Sequence, residues 1–438
     1  MTRDRQGRPG VPSRRLAGRA LLAGAAALAV TAGPLVPPAH AAPAAAVAAP
    51  SWSVPDRLFR ADQVRDEQWQ LTELRAKTAW RTSTGRGVVV AVIDSGVDGS
   101  HPDLAGQVLP GLDLVEPGGT DEPDPVGHGT TVAGLIAGRA DDDRGVVGLA
   151  PDARILPVRV LDAENRYDDA LIIAKAVRWA VDNGARVVNL SLGGSGDSPA
   201  LAAALDYAFA RDVVVVACTG NLATSTTTKV WYPAREPGVL AVTGLDRDSE
   251  NLWSGSITGH ETTLSAPATA LYGARSRGGY WRVQGTSFAA PLVAATAALV
   301  RARYPRMSAG DVVNRLISTA RDLGPTGRDD RFGYGMVDPV AALTADVPLV
   351  GRNPLDDNAS PGVVGFGPAP GEGPDTRAAA AGKGGDPFGR PPAAGWSARA
   401  AGQADTSTPG RLWTGLALLV ALVTGTALMV RRFRQARR

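Results

Sequence analysis

Three short strings place a carboxylate, an imidazole and a hydroxyl in one chain: Val-Ile-Asp94-Ser-Gly, Gly-His128-Gly-Thr and Gly-Thr-Ser287-Phe-Ala-Ala-Pro. A serine hydroxyl alone is a weak nucleophile. An imidazole that titrates near neutrality can take its proton, and a buried carboxylate can fix the tautomer and orientation of that imidazole. These three residue types therefore point to hydrolysis through a serine nucleophile, with Asp94 orienting, His128 acting as general base and then acid, and Ser287 attacking.

Such groups must be carried by a scaffold that brings distant positions together. Residues 87–93, 155–161, 186–192, 213–217 and 239–243 are short β-branched runs with little polar alternation, as strands covered on both faces read. Helical patterns lie between them at 129–138, 168–183 and 199–211; in the last, Leu201, Leu205 and Phe209 recur four apart. Gly184 is a stop signal. The alternation predicts a three-layer α/β domain with a mainly parallel sheet. In such sheets functional groups gather at the carboxyl ends of strands and at the helix starts that follow. Asp94 would end the first strand, His128 would open a helix, and Ser287 would precede the apolar stretch 288–300. A helix start beside Ser287 offers backbone N–H groups and a favourable dipole to a developing oxyanion. Pro291 fits only near the beginning of that helix.

The ends of the chain suggest where the chemistry takes place. Residues 1–41 combine Arg14, Arg15 and Arg19, an apolar run over 20–32 and the small-residue site Ala39-His40-Ala41, the plan of a secretory signal peptide cut after Ala41. Arg14-Arg15 also fits a twin-arginine leader; ordinary export is preferred because the residues after the pair add no support. Residues 412–430 are apolar without a charge, about the length that crosses a hydrocarbon core of ~30 Å. Five arginines in the terminal octad 431–438 follow, a cluster that stays cytoplasmic. The net charge of +3 is concentrated in this tail and the leader, so the segment between is acidic and a nucleic-acid partner is excluded. Cys218 is the only cysteine, which rules out an intramolecular disulfide. About 270 residues remain for one large domain.

Val-Ile-Asp94-Ser-Gly-Val-Asp-Gly-Ser-His101-Pro-Asp-Leu, Gly127-His128-Gly-Thr and Gly285-Thr-Ser287-Phe-Ala-Ala-Pro together resemble the subtilase family, over residues 85–345. The order Asp, His, Ser is that of subtilisin. The resemblance implies a subtilisin-like fold and an oxyanion-hole amide, for which Asn221 in Cys218-Thr219-Gly220-Asn221 is the candidate; the alternative is a turn asparagine. It also implies that Ser191, Leu192 and Gly193 form a strand edge binding the substrate backbone, faced by Thr219 and Gly220. Without the family, Gly193-Gly194 after a strand reads as a turn. His101 reads as structural, His260 as a surface residue, and Cys218 as a buried inert thiol rather than a reactive one. Glu116, Asp121, Glu122 and Asp124 read as a solvated loop; calcium or basic peptides are the alternatives, and no EF-hand spacing is present. Neither metal nor cofactor is expected.

The flanks are similar to mycosins, membrane-anchored subtilases associated with type VII secretion. The similarity rests on Asp62-Gln63-Val64-Arg65-Asp66-Glu67-Gln68-Trp69, Lys77-Thr78-Ala79-Trp80, Ala298-Leu299-Val300-Arg301-Ala302-Arg303-Tyr304-Pro305 and Phe332-Gly333-Tyr334-Gly335-Met336-Val337-Asp338. The organisation expected is a signal peptide (1–41), an N-terminal extension (42–80), a protease domain (81–350), a Pro/Gly/Ala-rich linker (351–410), one transmembrane helix (411–430) and a basic cytoplasmic tail (431–438). The linker is a flexible tether with a reach of roughly 45 Å. The resemblance implies an extracytoplasmic endopeptidase cleaving exported proteins beside a type VII secretion complex. Two alternatives stand: a structural stabiliser of that complex with secondary catalysis, and a general cell-surface subtilase.

Overall fold

The computed structural model describes residues 61–116, 123–167, 169–247 and 250–356. The expected signal peptide, transmembrane helix and basic tail lie outside these residues, as do residues 42–60 and most of the linker. Among the described residues no helix is long and apolar enough to cross a membrane.

Seven strands form one sheet: β1 (Val89–Asp94), β2 (Leu112–Asp113), β3 (Arg154–Arg159), β4 (Val187–Leu190), β5 (Val214–Cys218), β6 (Leu240–Leu245) and β7 (Leu264–Pro267). Their order is β2-β3-β1-β4-β5-β6-β7, and every pair is parallel. The central register sets Val90 opposite both Ile155 and Val187. These side chains are wholly buried, as expected of a sheet covered on both sides. The five expected strands correspond to β1, β3, β4, β5 and β6. Neither β2 nor β7 was legible: β2 has two residues, and β7 is Leu-Ser-Ala-Pro, too short and too small-sided for a β signal. Pro267 is accommodated because β7 lies at the edge of the sheet.

The extension contributes α1 (Ala61–Asp66), α2 (Trp69–Glu73) and α3 (Ala76–Ala79). Next come α4 (His128–Ala137), α5 (Ala170–Asp182) and α6 (Pro199–Ala210); α5 and α6 pack on each other over the sheet. Their starts follow ordinary capping chemistry: Asp169 accepts from Leu171 N–H at 2.9 Å, and Ser198 caps α6 with Pro199 in its first turn. A hairpin of β8 (Leu271–Ala274) and β9 (Tyr280–Val283) leads into α7 (Thr286–Arg303), followed by α8 (Ala309–Ser318) and α9 (Pro339–Thr344). Helix α7 packs against α4, α8 and α9 as well as strands β4 to β7. It is therefore apolar on every face, and Thr286 to Arg301 are all buried.

The extension is clamped without a disulfide. Arg65 donates to the carbonyls of Gly145, Asp142 and Arg144 at 3.0, 2.7 and 2.6 Å. Gln68 makes two reciprocal bonds with the backbone of Val147, at 3.0 and 2.9 Å, and the Trp80 indole donates to Leu149 O at 2.8 Å. Ion pairs Arg75–Asp338 and Arg321–Glu73 fasten it to the far end of the domain. None of these partners is a candidate site residue. Residues 351–356, expected to begin the tether, instead lie on the domain: Asp311 accepts from the N–H groups of Val350 and Gly351, and Asn353 Nδ2 donates to Gly238 O at 2.8 Å.

Candidate active site

Asp94 is the last residue of β1 and wholly buried, and His128 is the first residue of α4 and 1 % exposed. The two meet, with His128 Nδ1 2.7 Å from Asp94 Oδ1. The same carboxylate oxygen accepts from Ser95 N–H at 2.7 Å. This pairing makes Nδ1 the donor and leaves Nε2 as the basic nitrogen. Burial works against a charged ring, but the charge and hydrogen bond of Asp94, helped by the charge of Asp124, outweigh it and raise the His128 pKa.

Ser287 is the second residue of α7, inside the helix rather than before it. Its Oγ lies 3.9 Å from Cys218 Sγ at the end of β5. The next side chain, Phe288, packs its ring 5.2 Å from that of His128, so the first turn of α7 and the imidazole share one site. The N-cap, Gly285, has φ of 149°, a region that favours glycine. A Cβ there would stand 3.7 Å from both amide atoms of Asn221.

Asn221 is buried, and its Oδ1 accepts from the N–H and the hydroxyl of Thr286, both at 3.0 Å. That fixes the amide with Nδ2 as the remaining donor beside the nucleophile's turn, the position an oxyanion donor needs. Asn221→Ala is expected to lower kcat by about 10²–10³-fold with KM nearly unchanged, because such a donor acts on charge present only in the transition state. Steady-state kinetics check this; a KM effect with intact kcat would refute it.

Two positioning roles were not legible in the sequence. Asp124, expected in a solvated loop, is wholly buried. Its Oδ1 accepts from Ser95 Oγ and Gly127 N–H, each at 2.8 Å, and its Oδ2 from the Thr130 N–H and hydroxyl, at 2.8 and 2.5 Å. Ser95 Oγ in turn accepts from Gly129 N–H at 3.0 Å. Asp124 thus ties the loop after β1 to the start of α4 and holds His128 against Asp94. Burial pushes its carboxyl up, against the hydrogen bonds from Thr130, Gly127 and Ser95. An acid four residues before His128 at a helix start was the available signal. Glu116, from the same stretch, is half exposed and pairs with Arg159 at 3.6 Å; Asp121 and Glu122 lie outside the described residues.

The second is Ser191. Pro291 has no N–H to give the carbonyl of Ser287 four residues earlier. Ser191 Oγ takes its place, donating to Ser287 O at 2.6 Å, and itself accepts from Asn189 Nδ2 at 2.9 Å. The Ser191 side chain thus supports the first turn of α7; residues 191–193, expected as a strand edge, instead follow β4 outside the strand, which ends at Leu190.

The remaining candidates fall as follows. Gly193 and Gly194 face Trp231 and Tyr232, and Thr219 and Gly220 continue from β5 beside Trp231. His101 is buried, accepts from Asp103 N–H and stacks edge-on to Tyr280 at 5.5 Å, a structural role. His260 is exposed, 3.8 Å from Asp330. The Cys218 thiol is fully buried, and burial pushes it up to about 12, which makes it inert.

The Subtilase family profile matches residues 85–335, more than half of the chain, and spans Asp94, His128 and Ser287. The chain belongs to the subtilase family. Fervidolysin of Fervidobacterium pennivorans is 34% identical over 320 residues, 66% of this chain; the chain spans 45% of fervidolysin's length. Subtilisin DY of Bacillus licheniformis is 39% identical over 57% of this chain and 88% of its own. Among solved structures, MycP1 from the ESX-1 type VII secretion system, a mycosin, superposes with a TM-score of 0.58 at 29% identity, covering 72% of this chain and 92% of that one. This subtilase domain is a subtilisin-like serine protease domain of three-layer α/β architecture.

The raised pKa of His128 sets a pH dependence. The general base must be neutral, so kcat/KM should rise with pH through a limb whose midpoint lies above the free imidazole value of about 6.5. The ion pair contributes stability below that unfolded value and loses it as pH rises through the folded one. A pH–rate profile tests this; a midpoint below 6.5 would contradict the pairing.

Proposed function

We propose that this subtilase is a membrane-anchored extracytoplasmic serine endopeptidase that cleaves exported proteins beside a type VII secretion complex. The observation that carries the catalytic part is the short His128–Asp94 contact at the carboxyl end of the parallel sheet, with Ser287 in the first turn of α7 and Asn221 beside it. In this reading Asp94 orients His128, His128 takes the proton of Ser287 and returns it to the leaving amine, and Asn221 Nδ2 meets the oxyanion. The leader, the apolar segment 412–430 and the arginine tail support anchoring. Likeness to MycP1 from the ESX-1 type VII secretion system supports the secretion role.

A fluorophosphonate probe applied to the full chain in its native cells should label a membrane-fraction protein that co-purifies with the secretion membrane subunits. Labelled protein found only in the culture fluid would overturn the anchor. Membrane recovery without any secretion subunit would leave the general surface protease.

A further inference from the structure

The two walls expected to hold substrate, residues 191–194 and 219–220, are joined by residues 231–232. Trp231 N–H donates to Thr219 O at 2.9 Å, and Tyr232 exchanges two hydrogen bonds with Gly194, at 2.9 and 2.8 Å. The indole of Trp231 stands between the glycines of the two walls. A Cβ built on Gly220 would lie 2.4 Å from Trp231 Cδ2, and one built on Gly193 would lie 3.1 Å from Trp231 Cβ and 3.4 Å from Cε3. Gly220 also has φ of 109°, so both space and backbone require glycine there. Trp231 is only 4 % exposed. Its Nε1 donates to Ser225 Oγ at 3.0 Å, and Ser225 is held by Thr227 through bonds of 2.7 and 3.1 Å. Cys218 Sγ lies 3.9 Å from both Ser287 Oγ and Leu192 O.

The subtilase resemblance implies that the space between these walls receives the side chain that precedes the bond to be cut. Here that volume holds an anchored indole, packed on both sides and hydrogen-bonded at its far edge. Close-packed interiors do not yield to a second large group without off-rotamer side chains or backbone shifts. We propose that Trp231 restricts the substrates of this site to those with glycine, alanine or serine at the residue supplying the scissile carbonyl. The inference rests on the endopeptidase reading above and names its substrate class.

The test compares two peptide anilides, identical except for alanine or phenylalanine at that residue, on the full-length chain. Alanine should be favoured in kcat/KM by about a hundredfold or more, the scale on which a pocket discriminates by size. Trp231→Ala should bring phenylalanine to parity or above, and Trp231→Leu, which keeps part of the filling volume, should give an intermediate ratio. A ratio within one protein is insensitive to general damage. Equal cleavage of the two peptides by the unaltered chain, or a ratio unchanged in either variant, would overturn the proposal. Binding of the same peptides to the Ser287→Ala chain should show the same preference. A chain that cleaves neither peptide but binds the alanine one selectively keeps this inference and removes the endopeptidase reading.

Discussion

Ser287→Ala is expected to lower kcat about a millionfold, with KM little changed. The attacking atom is lost, and neither the His128–Asp94 pair nor Asn221 can replace it. What survives comes from substrate binding and the oxyanion donors, about a thousandfold over water. The fold should be unaffected: the Ser287 carbonyl still accepts from Ser191, and the lost hydroxyl contact is the long one to Cys218 Sγ. Fluorophosphonate labelling should vanish while the thermal midpoint stays in place. Turnover above about a thousandth of the starting value would assign the nucleophile elsewhere. The same variant separates catalysis from scaffolding, because a purely structural part in secretion would continue undiminished.

Asp94→Asn should cost about 10⁴-fold in kcat and also move the pH profile. Asp94 Oδ1 holds the Nδ1 proton of His128. An amide can turn its NH₂ toward Nδ1 instead, which puts the remaining ring proton on the nitrogen needed as base. With the negative charge gone, burial, already the largest single influence on His128, is opposed only by the charge of Asp124, and the pKa should fall. The acid limb of kcat/KM should therefore shift to lower pH, opposite to the displacement in the unaltered enzyme. Loss of activity with an unmoved limb would show that Asp94 supports the fold without setting the charge state of the ring.

Much of this candidate site could be proposed from the sequence because its residues stand in local strings. Asp94, His128, Ser287 and Asn221 each sit at the junction of a strand or helix with a loop, and such junctions leave glycine and periodicity signals. Asp124 was misread because a carboxylate in a Gly/Pro-rich stretch has the composition of a solvated loop. Its burial follows from donors on Ser95, Gly127 and Thr130, which come together only after β1 and α4 pack. The bond from Ser191 to Ser287 O depends on an absent N–H at Pro291, and sequence periodicity does not reveal an unsatisfied carbonyl. Trp231 was passed over for a similar reason. It lies outside the strands and helices, and its importance lies in which two glycines it separates.

Proline within a helix ordinarily marks a point of weakness. At Pro291 it frees one acceptor, and a hydroxyl from the neighbouring polypeptide edge claims it. The first turn of α7, which carries Ser287, is thereby tied to the segment that follows β4. Displacing that segment outward would strain the hydroxyl bond that replaces the missing proline N–H, so a change at either place is expected to be felt at the other.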